Sequence, residues 1–522
     1  RYSGTLPKHW KPNTYSLLAR VLVKLQVALV RKVQIAAAAP RIIFTLHVQY
    51  LSSIFYSYTV MYRPYRLIAP LAVFGFFLMA SCSNKKNNKP MRFTETQLTH
   101  DPYGHYLNST RVFSPGDEWI VYDTRNDDGG IGVTGSIEMV NVQTGKILPL
   151  YHTQNQTKYG PGVGAATFST TDHTVLFIHG IRNASEKHPY SFTRRTGVGI
   201  HTNHPFEPVF MDARNITPPF TPGALRGGTH AHTWSGDGQW ISFTYNDYIM
   251  EQLSKTDSAV KDLRTIAAMM PGKVTVPDDG TMENNNGEYF SAVVARVTEN
   301  PAPGTDEIDK AFDEGWIGSK GYQKADGNWQ HRAIAFQGNV RNEKNETIAE
   351  VFVTDIPDNI TKVSPGGHLE GTAHTRPDLP AGVVQRRITR TPEGIHGPRH
   401  WLRTTSDGAL ILFMAKDSKN IIQVFSVSPN GGSIKQITFN DFSIQGPLNI
   451  SPDDQYVSYI ADNSVFITGI QTHTSERLTS RSTDKEAPFG AVIWSNNGQA
   501  LAFNRRIIKE EKPYIQIFLL KQ

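Results

Sequence analysis

The sequence has 522 residues, one cysteine and a formal charge of +6 at pH 7. A lone cysteine excludes disulfides within the chain and argues against a thiolate metal site. Ten of the 53 Lys and Arg residues, and none of the 47 Asp and Glu residues, precede Cys82, so from there onward the balance is 43 against 47, a net of −4. A mildly acidic body of this kind has no electrostatic footprint for nucleic acid.

Residues 1–60 hold eight Lys or Arg, no acid, and apolar runs without regular patterning. They are expected to be upstream sequence with no fold of their own, a membrane-associated extension being the alternative. Residues 61–82 read as a secretion signal. Arg63 and Arg66 form a basic start, 67–79 an apolar stretch, and Met79-Ala80-Ser81-Cys82 a small-residue site ending in the cysteine. The apolar stretch is shorter than the roughly 20 residues of a membrane span. The pattern resembles a bacterial lipoprotein signal in which Cys82 is lipidated, with Met79 standing where leucine is usual. Residues 83–91 then form a short polar tether.

Beyond the tether one unit recurs. It is an aromatic or aliphatic residue, usually a serine, a turn rich in Asp, Gly and Asn, then an alternating apolar strand. Clear copies start at Phe113, Trp234, Ile450 and Trp494, weaker ones at Phe168 and Thr404, with spacings of 55, 66, 170, 46 and 44 residues. A period of roughly 40 to 60 residues with several short strands per repeat marks a β-propeller. The long gap leaves room for irregular blades near 288–298 and 333–355. The expectation is therefore an all-β chain forming one seven-bladed propeller over 92–522, with six blades as the alternative count. Residues 92–98 are expected to complete the blade holding 494–520, which removes an exposed edge.

Two segments depart from the strand pattern. Residues 247–288 contain a helix-like stretch over 250–270. Residues 305–315 read as a short helical insertion, with Thr305 as N-cap, acids in the first turn, and Ile308, Ala311 and Phe312 on one face.

The repeats resemble those of TolB-like propellers. The runs GGTHAHTWSGDGQWISFTYND (227–247), DEIDKAFDEGW (306–316), GVVQRRIT (382–389) and GPRHWLR (397–403) resemble the YidR-like family, over nearly everything after about residue 92. The resemblance implies the fold and hardly constrains function, because the family has no assigned activity and one fold hosts many.

His230 and His232 stand two apart on the strand before the Trp234 turn, and such residues project to one side of a regular strand. In a propeller this first strand lines the central channel. His400 occupies the position of His230 in the Thr404 repeat, where other repeats carry small residues. Three imidazoles converging there suit one divalent ion, zinc or manganese, with a position open for water or substrate. His396 is an alternative third ligand, and purely structural histidines are the competing reading. The arrangement also resembles oligogalacturonate lyases, propeller enzymes that bind a divalent metal next to the same turn. Their additional glutamine ligand is replaced here by Gly227. Arg226, Arg399 and His396 are candidate ligand-binding residues, since guanidinium groups pair with carboxylate or phosphate. Asp123, Asp127 and Asp128 suit a hairpin turn better than a calcium loop, which would need a further acidic ligand downstream.

No catalytic residue is assigned. Serine-hydrolase, P-loop and dinucleotide fingerprints are absent. The leading expectation is a lipid-anchored binding module facing the periplasm or exterior of a Gram-negative-type bacterium, taking a protein partner or a small polar ligand. The rival is a metal-dependent carbohydrate-active enzyme, a lyase acting on an acidic oligosaccharide.

Overall fold

The structure, a computed structural model, describes residues 93–522. The leader, the signal with Cys82 and the tether lie outside the described residues. Seven sheets succeed one another as blades. Blade 1 takes Trp119–Asp123, Ser136–Asn141 and Ile147–His152, with Tyr106 and Phe113 bridged to Trp119–Asp123 from the inner side. Blade 2 runs from Val163–Phe168 through Thr174–Gly180 and Arg195–His201 to Val209–Phe210. Blade 3 contains Gly227–Trp234, Ile241–Asp247, Thr265–Val274 and Gly287–Val293, and blade 4 Lys310–Trp316, Arg332–Arg341, Thr347–Ile356 and Val384–Arg387. Blade 5 spans Arg403–Thr404 to Lys435–Gln436, and blade 6 Asn449–Ile450 to Ser475–Arg477. Blade 7 joins Phe489–Trp494, Ala500–Lys509 and Lys512–Lys521 to Thr94–Gln97. Thr94 pairs with Lys521 and Gln97 with Phe518, so the two ends of the described chain share one blade. The fold is a seven-bladed β-propeller.

The recurring unit has a uniform physical role. Ser114, Ser235, Ser451 and Ser495 each accept, at Oγ, the backbone N–H five residues later, at 2.9–3.1 Å. Thr405 does the same with Leu410 at 3.1 Å. The residue four after five of the six starts, all but Phe168, is left-handed: Asp117, Gly238, Gly408, Asp454 and Gly498 have φ between +58° and +72°. Asp, Asn and Gly tolerate that conformation best, hence the turn composition. Where the residue is Asp, its carboxylate also reaches the preceding blade of the ring: Asp117 accepts from Asn496 N–H at 2.7 Å, and Asp454 from Ser406 N–H at 2.9 Å.

A second repeated device lies on the outer strands. Thr99, Thr389, Thr438 and Thr479 are buried, and each hydroxyl accepts one backbone N–H of the neighbouring strand at 2.9–3.0 Å. The phrases Gln97-Leu98-Thr99, Arg387-Ile388-Thr389, Gln436-Ile437-Thr438 and Arg477-Leu478-Thr479 recur for this reason. The threonine prolongs the ladder where the outer strand turns away.

The core is a set of layers between blades. Ile266, Ala268, Ile334 and Phe336 fill the gap between blades 3 and 4, while Ala267 and Met269 face blade 2 across Leu176. That two-sided burial explains one misreading. Only Tyr248–Ser254 is helical, capped by Asp247 Oδ1 on the N–H groups of Ile249 and Met250. Thr265–Val274 is a strand buried on both faces over 265–269, where the run does not alternate and cannot be told from a buried helix by period. The expected helix over 305–315 is also absent: Lys310–Trp316 is the inner strand of blade 4, pairing Lys310 with Asn339 and Trp316 with Ile334. Its acids mimic a helix start, but ladder pairing and burial of Ala311 override that local signal. No helix among the described residues is long and apolar enough to cross a membrane.

Candidate functional site: a cationic channel mouth

The inner strands are bulged, and the bulges decide where side chains go. In blades 2, 3 and 4 the register slips between Gly164 and Thr167, His230 and Thr233, and Phe312 and Gly315. Ala165, Ala231 and Asp313 carry the positive φ, at +57°, +50° and +52°. A bulge breaks the alternation of a strand and re-aims the residues beside it. His230 and His232 therefore do not form the parallel pair that a regular strand would give.

His230 is buried between two guanidinium groups. Arg195 Nη1 donates to its Nδ1 at 2.8 Å, so Nε2 carries the proton and donates to Asn246 Oδ1 at 3.1 Å. The same Oδ1 accepts Arg264 Nε at 3.0 Å. Burial, then Arg195 and Arg264, hold the imidazole neutral, well below its usual range. His232 turns elsewhere, to Thr229 Oγ1 at 3.0 Å, while its Nδ1 has no partner. Burial brings it down to about 3. His400 Nδ1 donates to Pro398 O at 2.9 Å and its Nε2 accepts Met414 N–H at 3.2 Å. Burial lowers it to about 4.

These bonds occupy both ring nitrogens of His230 and of His400, leaving neither a lone pair for a metal. Among the described residues no group of three or more His, Cys, Asp or Glu is placed to hold an ion. The candidate ligand set His230, His232 and His400 does not fit zinc or manganese as it stands. No chemistry is derived through a metal.

Arg226, expected at the ligand, has a structural role instead. It is fully buried, its Nη2 3.0 Å from Asp247 Oδ2, and it donates to the carbonyls of Thr372 and Thr375. Those bonds tie the 372–375 loop to blade 3 and leave no surface for a ligand. Arg399 and His396 do line a cavity, of about 420 Å³, at the channel mouth between blades 3, 4 and 5. Arg264, Lys310, Asp313 and Gln337 share it. Arg399 Nε contacts Asp313 Oδ1 at 3.2 Å, and Lys310 Nζ lies 4.4 Å from the Phe312 ring centre.

Charge is the notable property of this mouth. Burial and mutual repulsion push Arg264 and Lys310 below their usual ranges, Arg399 opposing the first and Arg264 the second. Arg195, only 7% exposed, sits deeper and drops to about 10. Its guanidinium lies over the Tyr190 and Phe192 rings, and its Nε has no partner. Among the described residues none of Arg195, Arg264 and Lys310 forms an ion pair. Arg403 reaches from blade 5 across to blade 1, from Asn449 Oδ1 at 2.7 Å to Ser109 O at 2.6 Å. A second cavity, of about 430 Å³, opens at the opposite mouth and includes Trp234, Trp316, Trp494 and Arg403.

Glu314, beside Asp313, is fully buried and neither carboxyl oxygen has a hydrogen-bond partner. Burial pushes it up to about 8, so it is a neutral acid at pH 7. Sequence reasoning missed Lys310, Asp313 and Glu314 because 305–315 read as a helix. Gly315-Trp316-Ile317-Gly318-Ser319 could have been recognised as a copy of the aromatic-turn unit. A hairpin of Tyr322–Gln323 with Trp329–Gln330 separates it from its strand and hid the match.

Comparison with known proteins places the chain. A family model described as "Protein of unknown function (DUF3748)" matches residues 162–284, which include Arg195, His230 and Arg264. Uncharacterized protein YidR of Escherichia coli (strain K12) is 35% identical over 416 residues, covering 78% of this chain and 94% of that protein. The chain belongs to the YidR family. Among solved structures, an oligogalacturonate lyase in complex with manganese is similar at a TM-score of 0.47 and 9% identity, covering 83% of this chain and 96% of that one. TolB from Acinetobacter baumannii is similar at 0.33 and 14%, covering 78% and 83%. At these levels both are likenesses of fold, and the manganese belongs to the lyase complex.

Proposed function

We propose that this YidR-family propeller is a binding module whose channel mouth captures a small anionic ligand. The carrying observation is the set of cations outside any ion pair among the described residues, Arg195, Arg264 and Lys310, gathered on a body whose net charge is negative. Burying like charges together costs stability unless something of opposite sign joins them. A positive concavity on an acidic protein also steers anions to one place. A carboxylated sugar or acidic oligosaccharide falls within the ligand class. The export signal and Cys82 further suggest a lipid-tethered protein outside the cytoplasm, and Cys82→Ser should then release it from membranes.

Calorimetric titration of the purified full chain against small carboxylates and phosphates tests the binding reading. Saturable binding that Arg264→Gln weakens at least about ten-fold is expected, since a charged hydrogen bond contributes about 1.5–3 kcal/mol. Absence of binding by every anion at millimolar concentration would refute it.

A further inference from the structure

The mouth also specifies how much charge the ligand carries. Of the residues that line the cavity, Arg264, Lys310 and Arg399 are cationic and Asp313 is anionic, an excess of two positive charges. His400 and the adjacent His230 add nothing, since their nitrogens sit in the bonds of neutral imidazoles. Glu314, buried without a partner, does not offset the excess either, because an ionised carboxylate in that position would be prohibitively desolvated. The donors are also unspent. Among the described residues Arg264 and Arg399 donate only through Nε, to Asn246 and Asp313, and Lys310 Nζ makes no hydrogen bond.

Two open guanidinium forks and one ammonium thus face a single cavity. Each fork matches a pair of oxygens on a carboxylate or phosphate, and the ammonium takes one more. A monoanion would leave one positive charge and one fork unmatched.

We propose that the mouth between blades 3, 4 and 5 selects doubly charged anions, a phosphate monoester or a dicarboxylate, over singly charged ones. The inference rests on the reading of the mouth as an anion site and narrows it. The phosphate monoester would engage both forks through one tetrahedral group. The dicarboxylate would place one carboxylate on each.

The test uses the full chain in mild detergent at pH 7 and about 0.15 M salt, where surface attraction is screened beyond roughly 8 Å. Four probes are titrated: phenyl phosphate, succinate, benzoate and methanesulfonate. At least one dianion should bind ten-fold or more tightly than either monoanion. Arg264→Gln and Arg399→Gln, which each remove one positive charge, should cut that preference to about three-fold or less. Thermal melting of each variant without ligand checks that it folds. Because Lys310 is half-buried and outside any ion pair, Lys310→Met serves as a further folded variant with the same expected loss.

Phenyl phosphate outranking succinate, or the reverse, identifies which dianion the forks fit, and either supports the proposal. Equal affinity for dianions and monoanions would overturn it while leaving the anion site standing. Binding of none of the four would remove the anion site itself. A dianion preference unchanged in all three variants would place the site elsewhere and overturn the proposal.

Discussion

Glu314→Gln is the substitution whose effect follows most directly from the structure. The side chain is fully buried, neither oxygen has a partner, and burial lifts it from the usual 4.5 to about 8. Its pKa is therefore higher in the folded chain than in the unfolded chain. Between pH 4.5 and 8 the folded chain holds a proton that the unfolded chain has released. Stability must then fall as pH rises through that window and level off above it. At 1.36 kcal/mol per unit, the loss between pH 5 and pH 8 is roughly 4 kcal/mol. Glutamine keeps the shape and cannot ionise, so the variant should lose this slope and become the more stable form toward pH 8. For the 430 described residues an unfolding entropy of about 0.9 kcal/mol per kelvin turns the difference into roughly 4 °C in Tm. Asp212, raised to about 6, and Asp262, also to about 6, tilt the wild-type curve in the same direction. The informative quantity is consequently the wild type minus variant difference, in melts at pH 5, 6, 7 and 8 and fixed ionic strength. A difference that stays constant across that range would mean Glu314 is ionised in the fold and paired with a cation, and the argument would fail.

Arg226→Met should destabilise by about 3–5 kcal/mol, because Asp247 would be left buried without its partner, and should expose the 372–375 loop to protease. Anion affinity at the mouth should not change, which separates this arginine from Arg399. One equivalent of zinc or manganese should leave the Tm of the full chain unaltered, since the His230 and His400 nitrogens are committed to other bonds. A metal-induced rise in Tm that His400→Ala abolishes would show that those bonds give way to coordination.

The architecture was legible because most repeats solve the same local problem. A serine hydroxyl closes the turn, a left-handed Asp or Gly lets it turn, and a threonine hydroxyl prolongs the ladder at the outer strand. Those requirements fix residue type at fixed offsets, so Ser114, Ser235, Ser451 and Ser495 could be aligned by eye, and the two-ended closing blade could be anticipated. The misreadings occurred where those offsets fail. Blade 4 interposes a hairpin between its turn and its second strand, and its inner strand is preceded by acids that look like a helix start. The first half of Thr265–Val274 is buried on both faces, so the alternation that identifies a strand is missing there.

The site was harder to read than the fold, and the bulges explain why. Spacing on a strand predicts which side chains share a face only while the register holds. A single extra residue at Ala231 separates His230 from His232, and one at Asp313 places a carboxylate beside Arg399. The sequence pointed to His230 for its rarity at that position, and the histidine does matter, though not as a ligand. It is a neutral spacer, accepting from Arg195 and donating to the same Asn246 oxygen that holds Arg264. The cations themselves come from two loops and two strand starts in four different blades, with no shared spacing. Only closure of the ring brings Arg195, Arg264, Lys310 and Arg399 to one mouth. A net charge of −4 over the body conceals a local excess of the opposite sign, and it is the local excess that a ligand would meet.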